Sequence, residues 1–138
     1  MILRTILFIL LIAAVQMPVM AQSTNPQQAT IRWNASGFTD QATNVTVQKP
    51  CQFIVYGSSK IEWIQKGGSL VYTFTITSVS GTWTDVNTNG TLTYQVTLDG
   101  TSGSIQVSRS GNVTISLNLP LADNPIKNLY SISGFDIL

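Results

Sequence analysis

The chain contains no histidine and a single cysteine, Cys51, and Glu62 is its only glutamate. Without an imidazole nothing is present to activate a serine or cysteine nucleophile, and no His-ligated zinc can form. One thiol makes neither an internal disulfide nor a cysteine-rich metal centre. A paired-carboxylate hydrolase is poorly served as well. Glu62 falls on the outer face of a strand, and Asp85, Asp99 and Asp123 fall at turns, where Asp is favoured for local hydrogen bonding. No Gly-x-Ser-x-Gly or Ser-x-x-Lys spacing occurs, and Ser58-Ser59-Lys60 reads as a turn. The residue types therefore point away from an enzyme and away from a resident cofactor.

Two groups of side chains retain some chemistry. Asp85-Val86-Asn87-Thr88-Asn89-Gly90 matches the start of a D-x-N-x-N-G calcium loop, in which oxygens at alternate positions, here Asp85, Asn87 and Asn89, face one ion. The match ends there. Val96 stands where the bidentate glutamate belongs, strands flank the segment, and a hairpin turn closed by Asn89-Gly90 explains the same residues. With one carboxylate, affinity would lie at best in the roughly millimolar range. The second group is aromatic. Exported β domains that expose flat rings can stack them on sugars, but strand alternation turns most rings inward, leaving Trp33 and Trp83, near strand ends, as candidates for exposure. Cys51, beside Pro50 at the start of an apolar stretch, reads as a small buried hydrophobe, with an intermolecular disulfide as the competing fate.

The elements that would position these residues begin after an export signal. Residues 1–21 carry Arg4, then an apolar run from Ile6 to Val15, then Val19-Met20-Ala21, the pattern of a secretory signal peptide cleaved after Ala21. The run is about ten residues, well short of the roughly twenty that a spanning helix needs. Losing this segment removes Arg4 and leaves six basic residues against six acidic ones, a net charge of zero. The remaining cations are scattered singly, which argues against nucleic-acid binding and, after cleavage, against a membrane surface. The expectation is a periplasmic or extracellular protein with a polar leader, 22–28, and one β domain, 29–138. The 117 residues left after cleavage exceed the roughly 70 to 80 below which a core usually needs staples. Four N-x-S/T sequons, at Asn34, Asn44, Asn89 and Asn112, would accept glycans only in a eukaryotic source.

From Ile31 onward the apolar period is two almost throughout, in nine segments punctuated by Gly67-Gly68, Asn89-Gly90, Asp99-Gly100 and Ser110-Gly111. No segment carries a helical stripe. The fold expected is all-β, an antiparallel β-sandwich or small meander-type barrel of about eight or nine strands. Residues paired across an antiparallel ladder share a face, so registers can be derived. A Gly67-Gly68 turn sets Trp63 opposite Tyr72 and Ile61 opposite Phe74. A four-residue loop, Gly100 to Gly103, would set Leu98 opposite Ile105 and Val96 opposite Val107. A three-residue loop through Asn112 sets Val107 opposite Ile115 and Ile105 opposite Leu117. A turn at Ser58-Ser59 would place Phe53 opposite Ile64.

These registers collect Ile54, Tyr56, Ile61, Trp63, Tyr72, Phe74, Trp83, Leu92, Tyr94, Ile105, Ile115 and Leu117 on one core face. They leave Phe53, Val55, Ile64 and Val71 on the other, an apolar patch to be covered by the N-terminal strands, by the tail, or by a protein partner or second copy. The role expected is that of a non-catalytic binding or structural module. The alternatives are a carbohydrate-binding module and a barrel that carries a small apolar ligand, the latter opposed by the bulk of the aromatic side chains assigned to the interior.

Overall fold

Alternating β-branched and aromatic residues separated by Gly, Asn and Asp favour strands joined by tight turns. In the computed structural model, which describes residues 22–138, they form nine strands: β1 (Thr30–Asp40), β2 (Val45–Val47), β3 (Cys51–Tyr56), β4 (Lys60–Gln65), β5 (Leu70–Thr82), β6 (Gly90–Leu98), β7 (Thr101–Ser110), β8 (Asn112–Leu119) and β9 (Ile126–Ile137). The expected signal segment lies outside the described residues.

Every pairing is antiparallel and sequential from β3 to β9, and β9 returns to pair with β1, so eight strands close into an up-and-down barrel. Of the two architectures the sequence allowed, the protein is thus the barrel. β2 is the ninth strand and lies outside the closed ring. It pairs only with the far end of β1, in line with β3, from which it is separated by Gln48, Lys49 and Pro50. Pro50 has no N–H to donate and breaks what would otherwise be one strand. The β1–β9 ladder slips twice, leaving Ser133 of β9 and then Ser36 of β1 without a ladder partner, and the β5–β6 ladder slips at Thr77 of β5; these bulges help the sheet to bend.

Two of the sequence-derived registers hold and two do not. Trp63 faces Tyr72 and Ile61 faces Phe74, as expected. Val107 faces Ile115 and Ile105 faces Leu117, also as expected. Between β3 and β4, however, Phe53 faces Trp63 instead of Ile64. The loop contains three residues, Gly57 to Ser59, because Gly57 takes a left-handed conformation (φ 55°) and belongs to the turn rather than to the strand. One residue of slip exchanges the two faces of β3. Phe53 and Val55 therefore join the core cluster, and Ile54 and Tyr56 take the outer face, where Ile54 is still only 9% exposed and the Lys60 ammonium sits 4.4 Å from the Tyr56 ring centre.

The β6–β7 connection is also tighter than expected. Asp99 (φ 48°) and Gly100 (φ 79°) form a two-residue turn of the primed kind, which matches the twist of the strands it joins. Tyr94 therefore faces Ile105 and Val96 faces Gly103, while Leu98 faces Thr101 at the end of the ladder.

An eight-stranded barrel is just wide enough for its own side chains to fill it or for one small ligand. Here Trp33, Phe53, Phe74, Tyr94 and Tyr130 are among the fully buried side chains, joined by Ile31, Ile61, Leu92, Ile105, Ile115 and Leu117. The inward aromatic bulk read from the sequence is thus packed as core.

Candidate functional site

The two ends of the barrel differ in what covers them. At one end lie the N-terminal segment, the β3–β4 and β7–β8 turns and the long β5–β6 loop, 83–89. Trp83 folds back from this loop against Trp33, the rings 5.9 Å apart and inclined by 21°, and its Nε1 donates to the Thr88 carbonyl at 2.8 Å. Gly90 lets the indole lie flat on β6, since a methyl group there would overlap the Trp83 ring. Val86 is buried beside it, its N–H donating to the Thr24 carbonyl at 2.8 Å and its carbonyl accepting from Arg109 Nε at 2.9 Å. The stretch expected as a polar leader is docked, with Pro26 buried and Asn25 closing a turn through its own carbonyl and side chain. This end is plugged.

The plug accounts for two of the sequence candidates. Trp33 and Trp83 are 1% and 3% exposed, so neither offers the free ring that the sugar-stacking reading required. Their place at strand ends implied exposure, but the loop that follows β5 covers both. In the Asp85 loop, Asp85 Oδ1 accepts from the Asn87 amide at 3.0 Å, and Asn89 Oδ1 accepts from the Gly111 amide at 3.1 Å. These oxygens are engaged in shaping the turn and tying it to the β7–β8 hairpin. No cluster of three or more Cys, Asp or Glu side chains occurs among the described residues.

The proposed apolar patch is divided by the register shift. Phe53 (0% exposed) and Val55 (2%) belong to the core, while Ile64 is half-buried on the outer face and its ladder partner Val71 is exposed. Of the four residues, the structure leaves two together at the surface.

The opposite end of the barrel is open. It is framed by the β4–β5 turn, the Asp99-Gly100 turn, the β8–β9 loop and the β1–β2 hairpin. Between them lies a cavity of about 310 Å³ lined by Trp63, Gln65, Leu70, Tyr72, Leu98, Leu119, Leu121, Asn124 and Ile126. Seven of these side chains are apolar or aromatic, two are amides, and none is charged. The Trp63 and Tyr72 rings stand 5.6 Å apart at 35° and form one wall. Leu70 and Leu98 project at the rim because each adjoins a turn: Leu70 follows the β4–β5 turn, and Leu98 precedes Asp99-Gly100.

A smaller recess of about 10 Å³, room for about one water molecule, shares Trp63 and Gln65 with this cavity and is otherwise lined by Phe38, Lys49, Pro50, Cys51 and Tyr130. Trp63 is 8% exposed, and its buried Nε1 has no hydrogen-bond partner among the described residues. Cys51 is buried, as the sequence suggested. Burial pushes its thiol up, opposed in part by the Trp63 N–H and by the Lys49 charge.

The sequence reading missed this site. Its signal was present in the apolar residues set against turns at one end of successive strands, at Leu70, Leu98, Leu119 and Leu121, but these become neighbours only when the sheet closes. Compared with known proteins, the chain matches no family model, and no curated protein matches it in sequence.

Proposed function

We propose that the protein is an exported, non-catalytic binding barrel that takes a small, mainly apolar molecule into its open end. The observation that carries this reading is the uncharged cavity walled by Trp63 and Tyr72. A concave apolar site with a few polar groups is the usual form of a small-molecule pocket, and its volume sits at the lower end of the customary range of about 300 to 1,000 Å³. The packed interior supports a ligand held at the mouth rather than swallowed. Export rests on the signal-like pattern of residues 1–21, and the lack of an imidazole to activate a nucleophile supports binding over catalysis.

The test is a titration of the protein lacking residues 1–21 with the neutral fluorophore N-phenyl-1-naphthylamine. Saturable binding is expected, weakened about tenfold or more by Leu121→Asp, which places a charge among apolar contacts. Leu121 is only half-buried, so the barrel should tolerate the change. Binding that does not saturate, or that Leu121→Asp leaves unchanged, would overturn the assignment.

A further inference from the structure

The cavity and the recess behind it differ in polarity, and the difference has a direction. The cavity is uncharged and largely apolar, whereas the recess adds to its apolar and aromatic walls the Trp63 N–H, the Lys49 ammonium, the Cys51 thiol, the Tyr130 hydroxyl and the Gln65 amide. Trp63 Nε1–H makes no hydrogen bond of ordinary geometry, having only the weakly accepting Cys51 sulfur on which to act, although its side chain is more than nine-tenths buried. Lys49 is exposed at the margin of the recess and forms no ion pair among the described residues, where the ion pairs are Arg32 with Asp136 and Lys60 with Glu62. No carboxylate lines the recess. The acid two residues beyond Phe38 on the same strand face, Asp40, accepts from the Ala42 amide at 2.9 Å. Of the other polar groups there, Cys51 carries a proton at neutral pH and is a weak acceptor, and the Tyr130 hydroxyl already accepts from Asn128 Nδ2 at 3.2 Å, which leaves the Gln65 amide oxygen as the one ready neutral acceptor among the lining side chains.

We infer that the ligand of the open end is an amphiphile with a carboxylate head, a medium-chain carboxylic acid in chemical class. One head oxygen takes the place of a water in the recess and accepts from Trp63 Nε1, the head's charge lies against Lys49, and the chain lies along Tyr72, Leu70, Leu98 and Leu121. Two features of the site agree on this polarity. The recess supplies one ammonium and one neutral donor for an anion, and the adjoining cavity contains no charge that would conflict with a hydrocarbon chain. An indole N–H in a buried site loses free energy when left unbonded, and that loss is recovered when an acceptor arrives. A charge-assisted bond to a carboxylate is stronger than one to a neutral oxygen, which makes the head group the part that sets specificity.

The inference rests on the reading that the open end binds ligands, and one experiment separates the two. Decanoate and 1-decanol are titrated calorimetrically into the protein lacking residues 1–21, into Lys49→Gln and into Trp63→Phe. Decanoate is expected to bind about tenfold tighter than the alcohol, with the preference shrinking at high salt. Lys49→Gln should abolish the preference while leaving the alcohol unaffected. Trp63→Phe, which keeps a ring but removes the donor, should weaken decanoate in particular. Equal affinity for acid and alcohol, or a preference that survives Lys49→Gln, would overturn the head-group assignment and leave the apolar site standing. Failure of both probes to bind would overturn both.

Discussion

The indole of Trp83 leaves the strand alternation after Thr82 and turns back over the barrel, and what permits this is a residue seven positions later. Gly90 has no side chain, so the ring packs directly on β6. Gly90→Ala forces an overlap inside a tightly packed plug and should cost about 1 to 3 kcal/mol in chemical denaturation. Gly134→Ala provides the control, since a methyl group there meets nothing within 4 Å and the strand gains propensity. It should be neutral or slightly stabilising. This is also where residue-level reading of the sequence fell short. The count of missing residue types excluded chemistries, and the inward turn of Tyr94 followed from alternation, but the burial of Trp33 and Trp83 depends on a loop that has no period. Tyr94 itself predicts a pH response. Burial pushes its phenol from 10.0 up to about 12, and Tyr130 moves in the same direction. The fold favours the neutral phenol, so stability is fully retained below pH 10 and falls as pH rises toward 12. The Tyr94 share amounts to about 2 to 3 kcal/mol. Tyr94→Phe should make that alkaline decline shallower in urea melts taken between pH 9 and pH 12.

At the scale of elements, strand identity was legible and strand pairing was only half so. The nine segments of period two are the nine strands, because alternation is local. Registers depend on how many residues each turn takes, and here one backbone conformation decided the outcome. Gly57 entered the β3–β4 turn and carried Phe53 and Val55 from the presumed outer patch into the core. The Asp99-Gly100 turn used two residues where four were expected, which left Leu98 at the rim of the open end. The β1–β2 hairpin is the element least supported by the rest of the fold. All residues from Gln41 to Pro50 are exposed, and β2 bonds to β1 alone. Strands with few buried contacts open locally at little cost. In hydrogen exchange at neutral pH, the amides of Val45 to Val47 should exchange orders of magnitude faster than those of Phe53 and Val55, although both stretches belong to the same interrupted line of chain. Comparable protection in the two would mean that the hairpin is held by something beyond its pairing with β1.

For the whole molecule the decisive contact is the one between β1 and β9, at opposite ends of the described chain. Sandwich and barrel share the same alternation, so the sequence pattern could not choose between them. Closure is a pairing across about a hundred residues, made here by nine ladder partners from Ile31 with Ile137 to Asp40 with Asn128. The seam also carries an ion pair, Arg32 Nη2 to Asp136 Oδ2 at 3.0 Å, to which Asn34 Nδ2 adds a bond at 3.2 Å. Both charged partners are exposed, so this cluster is an accessory to the seam. Asp136→Asn should cost no more than about 1 kcal/mol. The backbone ladder is another matter. Closing a barrel removes strand edges, and this surface has few charges with which to guard an edge, its outer positions being largely Thr, Ser and Gln. The low charge of the outer face is therefore tolerable because of the closure. Deleting residues 126–138 would free one edge of β1 and one edge of β8 together and strip Tyr130 from the core. The expected result is loss of the single cooperative unfolding transition, followed by concentration-dependent aggregation in light scattering. The chain retaining residues 22–138 should sediment as a monomer and lose tryptophan fluorescence and far-ultraviolet dichroism at one denaturant midpoint. If the deletion variant stays monomeric and unfolds cooperatively, β1 and β8 must be protected in some other way, and closure is not what keeps this sparsely charged sheet in solution.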